Sequence, residues 1–90
     1  MAIDSRAVTV GTTPTLLDTI GEGDDMAGSA VAVQNAGAAT IYLGADDVTT
    51  ATGFPLAAGA SMSFKLFGVE ALYGIVASGT VDARVLEAGI

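Results

Sequence analysis

Two short runs near the end of the chain limit what it can fold into. In Ser61-Met62-Ser63-Phe64-Lys65-Leu66 the apolar residues Met62, Phe64 and Leu66 alternate with Ser61, Ser63 and Lys65. In Val81-Asp82-Ala83-Arg84-Val85 the same two-residue period returns, with Asp82 and Arg84 on the polar side. A period of two sets one residue class on each face of an extended strand, and no helix satisfies it. Between these runs lies Ala71-Leu72-Tyr73-Gly74-Ile75-Val76, followed by Ser78-Gly79, a connection of the kind that closes a β-hairpin. Residues 53–87 therefore read as a three-stranded meander that buries one face only if the rest of the chain covers it.

Upstream segments supply candidate cover. Ala7-Val8-Thr9-Val10 is alternating and β-branched, and Gly11-Thr12-Thr13-Pro14 breaks it. Residues 15–20 suit either a strand with Leu17 and Thr19 on one face or a helix capped by Thr13 with Pro14 in its first turn. The strand is favoured, because the segment is Thr-rich and Gly21 ends it too soon for a useful helix. Gly21-Glu22-Gly23-Asp24-Asp25 reads as an acidic loop. In residues 29–35 Val31 and Val33 share a face opposite Ala30, Ala32 and Gln34, and Asn35-Ala36-Gly37-Ala38 is a turn. Ile41 and Leu43 then face the core with Tyr42 opposite, which predicts a second hairpin. Residues 45–53 are a polar excursion, and Pro55 restricts Phe54-Pro55-Leu56 to an edge or a loop. About six to eight short strands with frequent turn signals predict an all-β fold, a small antiparallel β-sandwich or barrel.

Ninety residues make one domain the default, residues 1–90, with residues 1–12 as a candidate N-terminal arm. The sequence has no Cys and no His, which removes disulfides, the commonest general base and zinc sites built on thiolate or imidazole. Ten acidic residues against three basic ones give a net charge of −7. Such a chain is expected to repel nucleic acid and anionic membrane, and to suit solubility or docking on a basic surface. Residues 26–45 carry no formal charge, but Gln34 and Asn35 and abundant Gly and Ala argue against a membrane helix. Asp4 and Arg6 without an apolar core argue against a signal peptide, so use without export is expected.

Candidate chemistry is sparse. Asp24-Asp25 and Asp46-Asp47 offer carboxylates to a hard cation such as calcium, but no EF-hand spacing accompanies them, and adjacent Asp residues in Gly- and Thr-rich loops are ordinary turn formers. Glycoside hydrolysis by paired carboxylates needs a cleft and substrate-holding aromatics, and only Tyr42, Phe54, Phe64, Phe67 and Tyr73 are aromatic. Lys65 is the one lysine, placed as a strand's solvent face. Gly21-x-Gly23-x-x-Met26 lacks the third Gly of a dinucleotide fingerprint and any βαβ context. Asp82 and Arg84 read as a surface ion pair. The expectation is no enzyme, no cofactor and no metal.

The segments Thr40-Ile41-Tyr42-Leu43-Gly44-Ala45-Asp46-Asp47-Val48-Thr49, Gly53-Phe54-Pro55-Leu56-Ala57-Ala58-Gly59 and Leu72-Tyr73-Gly74-Ile75-Val76-Ala77-Ser78-Gly79-Thr80 resemble small all-β virion proteins of tailed bacteriophages, some of which are head decoration (cement) proteins. The resemblance spans roughly residues 30–87. It implies a structural protein made in the host cytoplasm and located on the capsid surface of the virion. It also implies binding to the major capsid protein, and by analogy a homo-oligomer, a trimer. Such proteins have no catalytic motif to carry over. The candidate contacts are Ala7, Val8, Thr9 and Val10 in the arm and Asp46, Asp47, Val48 and Thr49 in the polar excursion. The alternatives are a tail, connector or head-fibre base component, or a virion-surface carbohydrate-binding module with Tyr42 or Tyr73 as its stacking platform.

Overall fold

A computed structural model describes residues 3–19, 29–66 and 71–89. The strands are β1 (Ile3–Val10), β2 (Thr15–Thr19), β3 (Ser29–Asn35), β4 (Ile41–Gly44), β5 (Phe54–Leu56), β6 (Ser61–Leu66), β7 (Ala71–Ile75) and β8 (Val81–Gly89), and the described residues contain no helix. They form two four-stranded sheets, ordered β1-β8-β3-β6 and β2-β7-β4-β5. Every pairing is antiparallel. The expected all-β sandwich is what forms, and residues 15–19 are a strand.

The pairing has one rule. β1 pairs β8, β2 pairs β7, β3 pairs β6 and β4 pairs β5. The chain is one long antiparallel ribbon, doubled back at residues 45–53 and then folded so that successive ribbon segments fall in alternate sheets. Two further contacts, β3 with β8 and β4 with β7, stitch the folded ribbon into sheets. This strand order is an eight-stranded jelly roll. Four connections, 11–14, 36–40, 57–60 and 76–80, cross between the sheets at the same end. The 45–53 tip stays within its sheet and lies at the opposite end.

This corrects the expected local pairings. Residues 29–35 and 41–44 form no hairpin, because β3 and β4 lie in different sheets. Nor do β7 and β8 pair, so residues 53–87 are not a meander. The Ser78-Gly79 turn has the backbone expected of a turn glycine, with Gly79 at φ 66°. The whole connection 76–80, however, is long enough to carry the chain across the ~10 Å between packed sheets. Alternation fixed each strand's inner face; it carried no information about which strand lies alongside.

The core follows the alternation. Val10, Leu17, Val31, Val33, Ile41, Leu43, Leu56, Leu72, Val76, Val81, Ala83 and Val85 pack as one cluster between the sheets, with Val8, Ala60 and Met62 against it. Burial of each Val, Leu or Ile side chain contributes about 1.5–3 kcal/mol. Leu16 is outside and Leu17 inside, as alternation requires, and the β2–β7 register slips between Leu16 and Asp18. A bulge of this kind re-aims side chains locally.

Asn35 is the one buried polar side chain among the described residues. Its amide nitrogen donates to the carbonyls of Ala39 at 2.7 Å and Leu56 at 2.9 Å, and its Oδ1 accepts from the Gly37 N–H at 3.0 Å. Its backbone N–H donates to Ala60 O, and its carbonyl accepts from the Gly59 N–H, both at 2.9 Å. Asn35 thus clamps the two sides of one ribbon bend, 36–40 and 57–60. The other bend at this end is held by the Val76 N–H donating to Gly11 O at 3.0 Å. The two bends meet where the Ala36 N–H donates to Asp82 O and where Gly37 lies against Val81; a Cβ on Gly37 would stand 2.6 Å from Val81 Cγ1.

Asn35→Ala should destabilise the protein by about 2–3 kcal/mol in urea unfolding, since it strands two carbonyls and an N–H, the Leu56 carbonyl fully buried among them. Asn35→Asp keeps the shape but turns a carboxylate oxygen on those carbonyls, which raises the folded-state pKa of the new carboxyl above its unfolded value. The deficit of this variant should be small below the unfolded pKa and grow as pH rises through the folded one; a pH-independent deficit would contradict the arrangement.

Candidate interaction surfaces

The expected contact residues fall on two separate parts of the molecule. Residues 3–10 are not a free arm, because β1 pairs with β8 along its whole length. Ala7 and Thr9 are exposed on the outside of the first sheet, while Val8 packs against the core and Val10 is fully buried. Val10 is therefore a core residue, not a contact. Asp46, Asp47 and Thr49 are exposed at the tip, and Val48 is buried, 4% exposed, so it too belongs to the interior. The β1 end at Val10 and the tip lie at opposite ends of the sandwich, so the two sets form no single patch.

The tip is tied down by its own bonds. The Val48 N–H donates to Ala45 O at 3.0 Å, and the Gly53 N–H donates to Thr49 O at 2.8 Å. Thr49 and Thr52 bond reciprocally: each N–H donates to the other's hydroxyl at 3.2 Å, and the hydroxyls lie 3.0 Å apart. Val48 fills the space beneath, where a Cβ on Gly44 or Gly53 would approach its Cγ2 to 2.8 or 2.9 Å. Asp46 and Asp47 are thereby held out in solvent. No group of three or more metal-ligating side chains occurs among the described residues, and the Asp24-Asp25 pair lies outside them.

Charge is segregated. β1, β8, β3 and β6 together hold three acidic residues, Asp4, Asp82 and Glu87, and three basic ones, Arg6, Lys65 and Arg84. The other seven acidic residues, and so the whole net charge of −7, lie in β2 and the connections. The four connections at the Asn35 end, 11–14, 36–40, 57–60 and 76–80, carry no charged residue.

The outer face of the first sheet presents Asp82, Arg84 and Leu86 along its central strand β8. Arg84 donates from Nε to Asp82 Oδ2 at 2.9 Å, the expected surface pair. Leu86 is 47% exposed between Ser5 and Ala32 on the neighbouring strands. Around it lies a hollow of about 570 Å³ whose lining includes Ser5, Ala7, Ala32, Gln34 and Ser61. The outer face of the second sheet carries Leu16, Tyr73, Ile75 and Tyr42. Tyr42 is paired with Ile75, and Tyr73 with both Leu16 and Gly44, so the two tyrosines are diagonal neighbours. At the open edge, Phe54 is 60% exposed over an apolar notch of about 210 Å³ with Leu43, Met62 and Leu72.

Leu16, Phe54 and Leu86 are exposed apolar residues outside the expected contact set. Leu86 was legible, since it shares the alternation parity of Asp82 and Arg84. Leu16 was legible too, since alternation with Leu17 places it outside.

No family model matches the chain, and no curated protein matches it. A solved structure described as "Bacillus endospore appendages form a novel family of disulfide-linked pili" is similar in fold, with a TM-score of 0.54 and 13% sequence identity over 99% of this chain and 88% of that one.

Val48→Ala should cost about 1–3 kcal/mol of stability. Asp46→Asn combined with Asp47→Asn should stay within about 0.5 kcal/mol of the parent. Urea unfolding of both checks which tip residues are structural and which are free for a partner.

Proposed function

We propose that this chain is a structural virion protein, a decoration (cement) protein that binds the major capsid protein on the outer surface of a phage head and stabilises it. The resemblance of residues 30–87 to phage virion proteins gives the biological setting, and jelly rolls are common in viral capsids. The observation that carries the reading is the polarity of the molecule. One end consists of four uncharged connections cross-braced by Asn35, Ala36 and Val76, and the other carries the carboxylates of the tip. A rigid, uncharged end docks at little cost in ordering or desolvation. The acidic end then points outward, away from packaged nucleic acid. Copies repeated on a lattice need only weak individual contacts, and trimers would multiply them. The pilus neighbour supports the coarser part only: a chain of similar fold comes from a structural assembly, disulfide-linked pili.

The test adds the purified chain to capsids that lack it and measures bound copies relative to the major capsid protein. Ala38→Glu with Thr80→Glu, exposed corner positions, should abolish binding, while Asp46→Lys at the tip should retain it. Retention of both would remove the corner as the docking end, and no saturable binding by the parent would remove the capsid role.

One observation favours a second reading. Tyr42 and Tyr73, both half-buried, stand diagonally on one outer sheet face beside the exposed Leu16, an aromatic pair of the kind that stacks on sugar rings, and lectins also use jelly rolls. Glycan-array binding that disappears in Tyr42→Ala and in Tyr73→Ala, with the fold intact, would select it; an array with no signal would end it.

A further inference from the structure

We propose that the outer face of the first sheet is a self-association surface that pairs two copies of this chain through a two-fold axis running along the strands between β8 and β3. The occupant is a second copy, and three features of the face point to it.

The first is electrostatic. A chain of net charge −7 resists its own association wherever its carboxylates meet. The outward positions of β1 and β3 are uncharged, and those of β8 hold one charge of each sign, Asp82 and Arg84, so this face is where two copies approach without repulsion. Asp82 and Arg84 are already paired there, which leaves no uncompensated charge between them to bury.

The second is shape. Leu86, nearly half exposed, rises from a face whose neighbouring positions are Ser5 on β1 and Ala32 on β3. Leu86 forms one wall of a hollow that the small side chains of Ser5, Ala7, Ala32 and Ser61 leave open beside it, a knob beside its own hole.

The third is register. Ser5, Leu86, Ala32 and Ser63 form one row across the sheet, and Ala7, Arg84, Gln34 and Ser61 form the next. A two-fold between β8 and β3 lays β8 of each copy over β3 of the other and keeps these rows aligned. Leu86 then seats over the second copy's Ala32, and Arg84 over the second copy's Gln34, whose amide oxygen accepts from the guanidinium. Small residues of β1 and β6 face each other outside this centre, so the sheets can approach to the ~10 Å of packed sheets. The contact is isologous and closes on itself. It is separate from the corner end and does not depend on capsid binding.

The test measures the mass of the whole chain in free solution by light scattering and sedimentation. The parent should be a dimer, or a hexamer if a three-fold contact also forms. Leu86→Ala and Ala32→Leu should each weaken the two-fold association about tenfold or more, the first by removing the knob and the second by filling the hole. The double variant Leu86→Ala with Ala32→Leu exchanges knob and hole and should restore it. Leu86→Lys, at an exposed position, gives a third disruption, and circular dichroism checks each fold. A monomeric parent overturns the inference. So does a trimer indifferent to Leu86→Lys, which would leave the decoration reading untouched, and so does a double variant no better than its single parents.

Discussion

The fold depends on a single amide. A ribbon of paired strands has no intrinsic reason to bend, and bending it breaks the ladder at both strands at once. Each bend leaves carbonyls and N–H groups facing an apolar interior, where they cost free energy unless satisfied. Asn35 solves this at the bend between the β3–β6 and β4–β5 segments. Its two donors and one acceptor, with its own backbone groups, bond Ala39, Leu56, Gly37, Gly59 and Ala60. No apolar residue of that size supplies both donors, and Asp supplies neither at neutral pH. The core around it is ordinary Val, Leu and Ile, whose attraction is undirected. What selects this bend over other ways of collapsing the same strands is the directed bonding at position 35.

The sequence made the strands legible and left their arrangement hidden, for one physical reason. Alternation in residues 61–66 and 81–85 reports which face of a strand is wet, and the inner residues Val31, Val33, Ile41, Leu43, Val81, Ala83 and Val85 were readable from it. Pairing partners are another matter, because β1 and β8 are separated by nearly the whole chain, and no local pattern marks such a contact. The same limit explains residues 7–10. Their β-branched alternation showed a strand, but their role as the outer partner of β8 needed the topology. Val48 was hidden differently: one apolar residue in a run of Asp and Thr looks like part of a polar loop, and only its place under the tip shows that it anchors that loop.

The surface divides by what each part can meet. The tip carries carboxylates, the four connections at the Asn35 end carry none, and the two sheet faces differ from each other, one with a paired Asp82 and Arg84 and a lone leucine and the other aromatic. The pilus subunit of similar fold belongs to a disulfide-linked assembly. These ninety residues contain no cysteine, so any cohesion between copies through them rests on packing and hydrogen bonds alone.

The doubled ribbon also dictates an order of assembly. The β4–β5 hairpin closes the shortest loop, and once it exists each next pair, β3 with β6, β2 with β7 and β1 with β8, is brought together by the pair before it. Loop-closure entropy then falls in small successive steps instead of one long closure. A jelly roll built this way can form like a zipper drawn from its closed end, with the edge strand β1 engaging last, while β8 is held by β3 on its other side.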